Sequence, residues 1–153
     1  MTAAGMDNGL NEYVTAVVAG QRFGLPIRRV QDVFVPDRLT RVPLAPPEIA
    51  GLLNSRGRIV TLIDVRRRLD LGEDGREAQP MAIGVECRGE SYGLLVDSVG
   101  EVLKLGDDSY ELNPVNLAPR FAEVSTGIHR LEDQLLLLID VDRLLGLTEK
   151  AAA

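Results

Sequence analysis

The feature that most constrains this chain is that it repeats its own design. Ile49 to Leu71 reads as an apolar run (Ile49 to Leu53), a polar break (Asn54-Ser55-Arg56-Gly57), a second apolar run (Ile59 to Val65) and a short arginine-rich segment. Two β-rich runs separated by a short segment carrying Asn and Gly predict a hairpin. Asp64 is placed to N-cap a helical turn over Val65 to Leu69. The same plan returns at a constant offset of 76: Gly51 matches Gly127, Asp64 matches Asp140, and Leu62 matches Leu138. An earlier piece, Phe23 to Val33, matches Tyr92 to Val102 at an offset of 69. Repeats of this length are too long for a solenoid and predict two related subdomains.

In order along the chain, Met1 to Glu12 is small and polar and is expected to fray. Strands are predicted at Tyr13 to Val18, Phe23 to Ile27 and Val30 to Val35, with Pro26 marking an edge or bulge. A proline-stiffened connection follows, in which Pro46-Pro47 are expected to open a short helix at Glu48-Ile49. After the hairpin unit, Gly72 to Pro80 is the clearest linker. The second copy offers strands at Met81 to Cys87, Ser91 to Val96, Val99 to Leu105, Val124 to Leu131 and Leu135 to Ile139, then a short helix at Val141 to Leu147. Many short strands with little helical periodicity predict an all-β chain of two small barrels. The expected division is a frayed 1–12, subdomain 1 over 13–72, a linker over 73–80, subdomain 2 over 81–147 and a tail over 148–153.

Composition excludes several functions. With 45% hydrophobic residues the chain is not a disordered one. Its net charge of −6 and lack of Trp argue against a nucleic-acid surface, which needs a basic face and stacking rings. No apolar stretch is long enough to span a bilayer, and the N-terminus has no secretory pattern, so a cytoplasmic protein is expected. A single cysteine, Cys87, allows no internal disulfide and fits a reducing compartment.

No catalytic constellation emerges. His129 is the sole histidine and is read as a partly buried strand residue, Cys87 as a core filler. No nucleophile elbow or phosphate loop is present, and the repeat-equivalent Asp64 and Asp140 suit helix capping. The expectation is a non-enzyme without metal or cofactor. The arginines are the better lead. Arg66, Arg67 and Arg68 are read as a solvated face. Arg56 differs, because a tight turn fixes its backbone and lowers the entropy lost on docking.

In ordered series, Phe23-Gly24-Leu25-Pro26-Ile27, Val30-Gln31-Asp32-Val33, Arg41-Val42-Pro43, Asn54-Ser55-Arg56-Gly57, Ile63-Asp64-Val65-Arg66, Gly93-Leu94-Leu95-Val96-Asp97 and Leu138-Ile139-Asp140 resemble the CheW family of chemotaxis coupling proteins. The resemblance spans roughly Tyr13 to Leu147. It implies two five-stranded SH3-like β-barrel subdomains sharing a core, with short helical turns. It also implies a scaffold that bridges the cytoplasmic tip of a methyl-accepting chemoreceptor and the CheW-like regulatory domain of the histidine kinase CheA. Arg56 in the Asn-x-Arg-Gly turn matches the arginine implicated in coupling, and Asp32 falls where many members carry glutamate. Interaction residues are therefore expected at Arg56, Asp32, Asn54, Gly57, Val33 and Arg58. Subdomain 1 is expected to meet the kinase through its barrel surface, and a groove between the subdomains, bordered by Val33, Asn54 and Arg56, to take the helical receptor tip. Two other readings are a related adaptor in a chemosensory system for pili or development, and a small-ligand-binding β-barrel protein.

Overall fold

The computed structural model describes residues 11–76 and 79–152, with side chains through Gly146. The segment Met1–Leu10, within the N-terminus expected to fray, lies outside the described residues, as do Glu77, Ala78 and Ala153. The strands are β1 (Asn11–Val18), β2 (Gln21–Pro26), β3 (Val30–Phe34), β4 (Ile49–Ser55), β5 (Arg58–Asp64), β6 (Met81–Cys87), β7 (Glu90–Val96), β8 (Ser98–Leu105), β9 (Tyr110–Glu111), β10 (Ser125–Arg130) and β11 (Leu135–Ile139). The helices are α1 (Val65–Arg68), α2 (Pro119–Ala122) and α3 (Val141–Ala152).

The chain is all-β with short helices, and its strands form two sheets. One has the order β8-β1-β2-β11-β10-β9, the other β3-β6-β7-β5-β4. The sixth strand is the two-residue β9, which lies outside the strands expected from the sequence. Each sheet takes strands from both sequence copies. The β1–β2 hairpin of the first copy pairs with β8 and β11 of the second, and the β6–β7 hairpin of the second pairs with β3 and β5 of the first. Two parallel pairings make the exchange: β11 on β2, with Leu136 opposite Arg22, and β5 on β7, with Val60 opposite Ser91. These are the same contact in the two repeats.

The core follows from the pleat. On β5, Ile63 faces a central cluster while Val60 and Leu62 face a smaller one; on β11, Leu137 and Ile139 face the central cluster while Leu136 and Leu138 face another. Strands buried on both faces read as unbroken apolar runs, as Leu135 to Ile139 does. The central cluster joins β1 and β2 residues Val18 and Phe23 to Ile83 and Leu94 of β6 and β7, so the two sheets share one core. The satellite clusters are repeat counterparts: Leu62 with Ala82 and Phe34 in one, Leu138 with Tyr13 and Leu103 in the other.

Local features match between copies as well. Register shifts fall at Gly51 in β4 and Gly127 in β10. A Cβ at Gly51 would sit 2.8 Å from the Thr40 carbonyl oxygen, and one at Gly127 would sit 2.6 Å from the Tyr110 ring. Close approach of a neighbouring segment to a bulge explains why both are glycine. Asp64 caps α1 by accepting from the Arg67 N–H at 3.4 Å, and Asp140 caps α3 by accepting from the Arg143 N–H at 3.2 Å. Pro26 ends β2 beyond the residues that β11 pairs with, where its missing N–H breaks no ladder.

Some expectations change. Ile27–Arg29 is a 3-10 turn rather than continuing strand. Glu48-Ile49 starts no helix: the Ile49 N–H bonds the Pro46 carbonyl in a turn and β4 begins at once. The final helix runs to Ala152, past the residue 147 at which the sequence reading ends it. Arg66 is not part of a solvated face. It is 3% exposed and ties together Asp97 and the carbonyls of Gly72 and Asp74. Arg68 donates to the carbonyls of Leu144 and Arg143, linking α1 to α3. Arg66 thus satisfies carbonyls of the chain reversal after α1, whereas Arg68 is held by carbonyls of α3.

Candidate protein-interaction site

The β4–β5 hairpin turns on two residues, Arg56 and Gly57, with φ of +54° and +81°. Both positive values define a type I′ turn, whose twist matches that of the flanking strands. Asn54 builds the turn: its Oδ1 accepts from the Gly57 N–H at 3.0 Å. Ala19-Gly20 and Arg88-Gly89 form turns of the same geometry. A left-handed Arg56 therefore belongs to a scaffold habit of this chain, and backbone strain does not by itself mark it as functional.

What marks Arg56 is its surroundings. A shallow groove of about 430 Å³ runs over the five-stranded sheet, lined by Asp32 and Phe34 of β3, Arg56 and Arg58 at the hairpin, Gly84 of β6 and Tyr92 of β7. Strand alternation puts Asp32 and Phe34 on one face of β3 and Val33 on the other. Asp32 lies directly over Gly84, where any Cβ would collide with its carboxylate, so glycine is what lets the groove floor be flat. Arg58 donates to the Ser91 hydroxyl at 3.4 Å. Among the described residues, neither the Arg56 guanidinium nor the Asp32 carboxylate has a hydrogen-bond or ion-pair partner. An unpaired cation and anion beside an apolar ring suit recognition of a protein surface carrying both charges.

Of the residues singled out from sequence, the structure brings Asp32, Arg56 and Arg58 to this one groove. Asn54 and Gly57 shape the turn beneath it, and Val33 sits on the opposite face, 40% exposed. All the lining comes from one sheet, though from strands of both copies. Phe34, Gly84 and Tyr92 were not read as site residues. The repeat could have pointed to Gly84 and Tyr92, since the β6–β7 hairpin has a matching hairpin in β1–β2, but which strands it joins is settled only by pairing.

Exposed apolar side chains gather in two stretches. Val33 and the fully exposed Leu44, after Pro43, belong to the first; Val102 and the fully exposed Val115, after Pro114, belong to the second. Val33 and Val102 are repeat counterparts. Arg38 and Arg41 against Asp37 make the first stretch basic, whereas Asp107, Asp108 and Glu111 against Lys104 make the second acidic. His129 and Cys87 are both buried in strands. His129 packs between the Tyr13 and Tyr110 rings with its Nδ1 2.8 Å from the Ser109 hydroxyl, and the Cys87 thiol donates to Asp142 at 3.4 Å. No helix among the described residues is long and apolar enough to cross a membrane.

Comparison with known proteins concerns the chain as a whole. The profile of the CheW-like domain family matches residues 12–149. The chemotaxis protein CheW of Klebsiella aerogenes is 28% identical over 140 residues, covering 92% of this chain and 84% of that protein. The chemotaxis protein CheW of Bacillus subtilis is 26% identical over 134 residues, covering 88% and 86%. The crystal structure of the scaffolding protein TtCheW from Thermoanaerobacter tengcongensis superposes with a TM-score of 0.80 at 31% identity, covering 88% of this chain and 87% of that one.

Proposed function

The chain belongs to the CheW-like domain family, and we propose that it is a non-catalytic chemotaxis scaffold that joins the cytoplasmic tip of a methyl-accepting chemoreceptor to the CheW-like regulatory domain of the histidine kinase CheA. The reading is supported by relatives named chemotaxis proteins and by a structural neighbour named a scaffolding protein. The observation that carries it on this molecule is the groove in which Arg56 and Asp32 stand unpaired over a sheet.

An adaptor needs at least two surfaces that do not compete. The two faces of β3 offer them: the groove with Asp32 and Arg56 on one, and exposed Val33 on the other. A groove carrying both charges and an apolar patch select different partners while the fold keeps their spacing fixed. Subdomain 1 would meet the kinase domain, and the groove with Arg56, Asp32 and Arg58 would take the receptor tip, Asn54 and Gly57 holding the turn in place. Val33, on the other face of β3, would contribute to the apolar contact with the kinase. Bound to receptors, the protein would sit at the membrane-associated array without inserting.

The test is capture of the wild type and Arg56→Ala by a CheA regulatory domain and, separately, by a receptor tip fragment, with circular dichroism on both variants. If Arg56 is buried and paired in a complex, its loss costs on the order of 2–5 kcal/mol of binding. At a solvated rim it costs about 0–1 kcal/mol. Wild-type protein that binds neither partner would sink the reading.

A further inference from the structure

Among the described residues, the repeat exposes a slot that is filled in one half of the molecule and open in the other. The Asp64 carboxylate makes four contacts: the N–H of Arg67 at 3.4 Å, Nε of Arg67 at 3.7 Å, and Nη1 and Nη2 of Arg76 at 3.2 and 3.5 Å. Arg76 arrives on the segment 72–76, which turns back over α1 and is held by Arg66 through the Gly72 and Asp74 carbonyls at 3.1 and 2.7 Å. Asp140, the counterpart of Asp64, repeats the first two contacts, with the Arg143 N–H at 3.2 Å and its Nε at 3.6 Å. Among the described residues it has no counterpart of Arg76. The Asp64 side chain is 9% exposed and that of Asp140 28%.

The space beside Asp140 is a groove of about 800 Å³, walled by Leu138 to Asp142 and Pro26 to Arg29, with Glu12 and Lys104 at its rim. Those walls are the repeat counterparts of Leu62 to Arg66 and of Leu95 to Ser98; of these, Asp64 and Arg66 hold segment 72–76, and Asp97 pairs with Arg66. The difference between the halves has a plain cause. After α1 the chain reverses at Asp70, with φ +56°, and Gly72, with φ +82°, whereas α3 continues as helix to Ala152, so that among the described residues no segment returns over the slot.

We propose that this groove is a docking site for an extended segment of a partner protein that presents an arginine to Asp140. A guanidinium fits because it is what the equivalent carboxylate already holds, and because a planar fork can take a carboxylate edge-on. The chain's own first ten residues precede β1 as the 72–80 linker precedes β6, but they contain no arginine or lysine. They have no guanidinium to repeat the Arg76 contact, which favours a partner. The groove also holds positive charge at Arg28 and Lys104, while Arg29 is already paired with Asp142 at 3.0 Å. The guest therefore carries an acidic residue near its arginine, as Glu73 stands three residues before Arg76 and pairs with it. This site is separate from the Arg56 groove, and its fate does not depend on the adaptor reading.

The experiment uses the full-length protein, labelled with 15N, and two synthetic peptides. One copies residues 71–77 (Leu-Gly-Glu-Asp-Gly-Arg-Glu), and the other carries Arg76→Gln. Saturable shifts of the Asp140, Val141 and Lys104 amides are expected with the first peptide, at a Kd of roughly 1 mM for so small a contact. The glutamine peptide should bind at least about fivefold more weakly, and so should the arginine peptide to Asp140→Asn, a variant that keeps the helix cap because Asn caps as well as Asp. Shifts that do not saturate, shifts equal for both peptides, or shifts confined to the Arg66 side would overturn the proposal.

Discussion

Arg66 on α1 and Asp97 after β7 form a two-point ion pair, Nε to Oδ1 at 3.1 Å and Nη2 to Oδ2 at 2.7 Å, and the other half of the molecule repeats it with the charges reversed. There Asp142 stands at the counterpart of Arg66, and Arg29, one residue past the counterpart of Asp97, meets it at 3.0 Å. The two pairs differ in burial: 3% and 13% exposed for Arg66 and Asp97, 26% and 63% for Arg29 and Asp142. Each pair fastens a short helix to the end of a hairpin that came from the other sequence copy. They lock the exchange of hairpins at both ends.

Because burial decides the worth of an ion pair, the two should respond very differently to truncation. Arg66→Ala removes the donor to the Gly72 and Asp74 carbonyls and leaves the Asp97 carboxylate with the Ala19 N–H alone, and is expected to cost about 3–5 kcal/mol. Arg29→Ala should cost about 0–1 kcal/mol. Urea unfolding of both variants checks this, and equal losses would contradict the assigned difference.

The turn at Arg56 separates folding from binding. Holding an L-residue with a Cβ at φ +54° costs about 1–2 kcal/mol that glycine does not incur. Arg56→Gly should therefore leave stability unchanged or raise it by up to about 1 kcal/mol while partner capture falls. A variant that loses binding only in step with its melting temperature would remove Arg56 from the interface.

Gly127→Ala tests the bulge. The new Cβ would lie 2.6 Å from the Tyr110 ring, whose hydroxyl donates to the Thr126 carbonyl at 2.9 Å and so pins β9 to β10. Overpacking of this kind costs about 1–3 kcal/mol. Adding Tyr110→Ala should recover part of the loss, and hydrogen exchange at Glu111 should report release of β9. A double variant no more stable than Gly127→Ala would show that the ring is not the obstacle.

His129 and the ion-paired carboxylates Asp97, Glu73, Glu111 and Asp142 set the acid limb of stability, and Asp97 is the most buried of these carboxylates. Burial pushes the His129 imidazole below its ordinary value of 6.5, against the opposing pull of Asp107 and Asp108. The unfolded chain then binds this proton more readily than the folded one, so stability is complete above about pH 6.5 and declines as pH falls below it. At Asp97, burial acts to raise the carboxyl, but hydrogen bonds from Arg66 and the Ala19 N–H, with the charge of Arg66, outweigh it and hold the group below its usual range. Its contribution is present above the unfolded value of about 3.9 and is lost as pH drops through the folded one. Melting temperature against pH should thus fall in two steps, with the upper step absent in His129→Phe. Persistence of that step would assign it elsewhere.

The sequence by itself determined what depends on near neighbours. Period-two patterning marked the strands, the Asn-Ser-Arg-Gly break marked the Arg56 turn, Asp64 and Asp140 marked the helix caps, and the constant offset marked two copies of one design. Each of these is written in local hydrogen bonding and side-chain alternation, which a short window contains. Tertiary structure alone decided which hairpin joins which sheet. β5 and β11 are buried on both faces, so their apolar runs are equally compatible with either copy's hairpin, and only packing of the shared core chooses. The same choice buried Arg66, which sequence reads as one of three solvated arginines, because Asp97 and the 72–76 segment reach it from beyond its own hairpin. It also placed Asp32 beside Arg56 and turned Val33 away, and it left Asp140 without the arginine that Asp64 holds. Contacts between residues far apart in the chain are fixed by packing and loop closure, which no local pattern encodes.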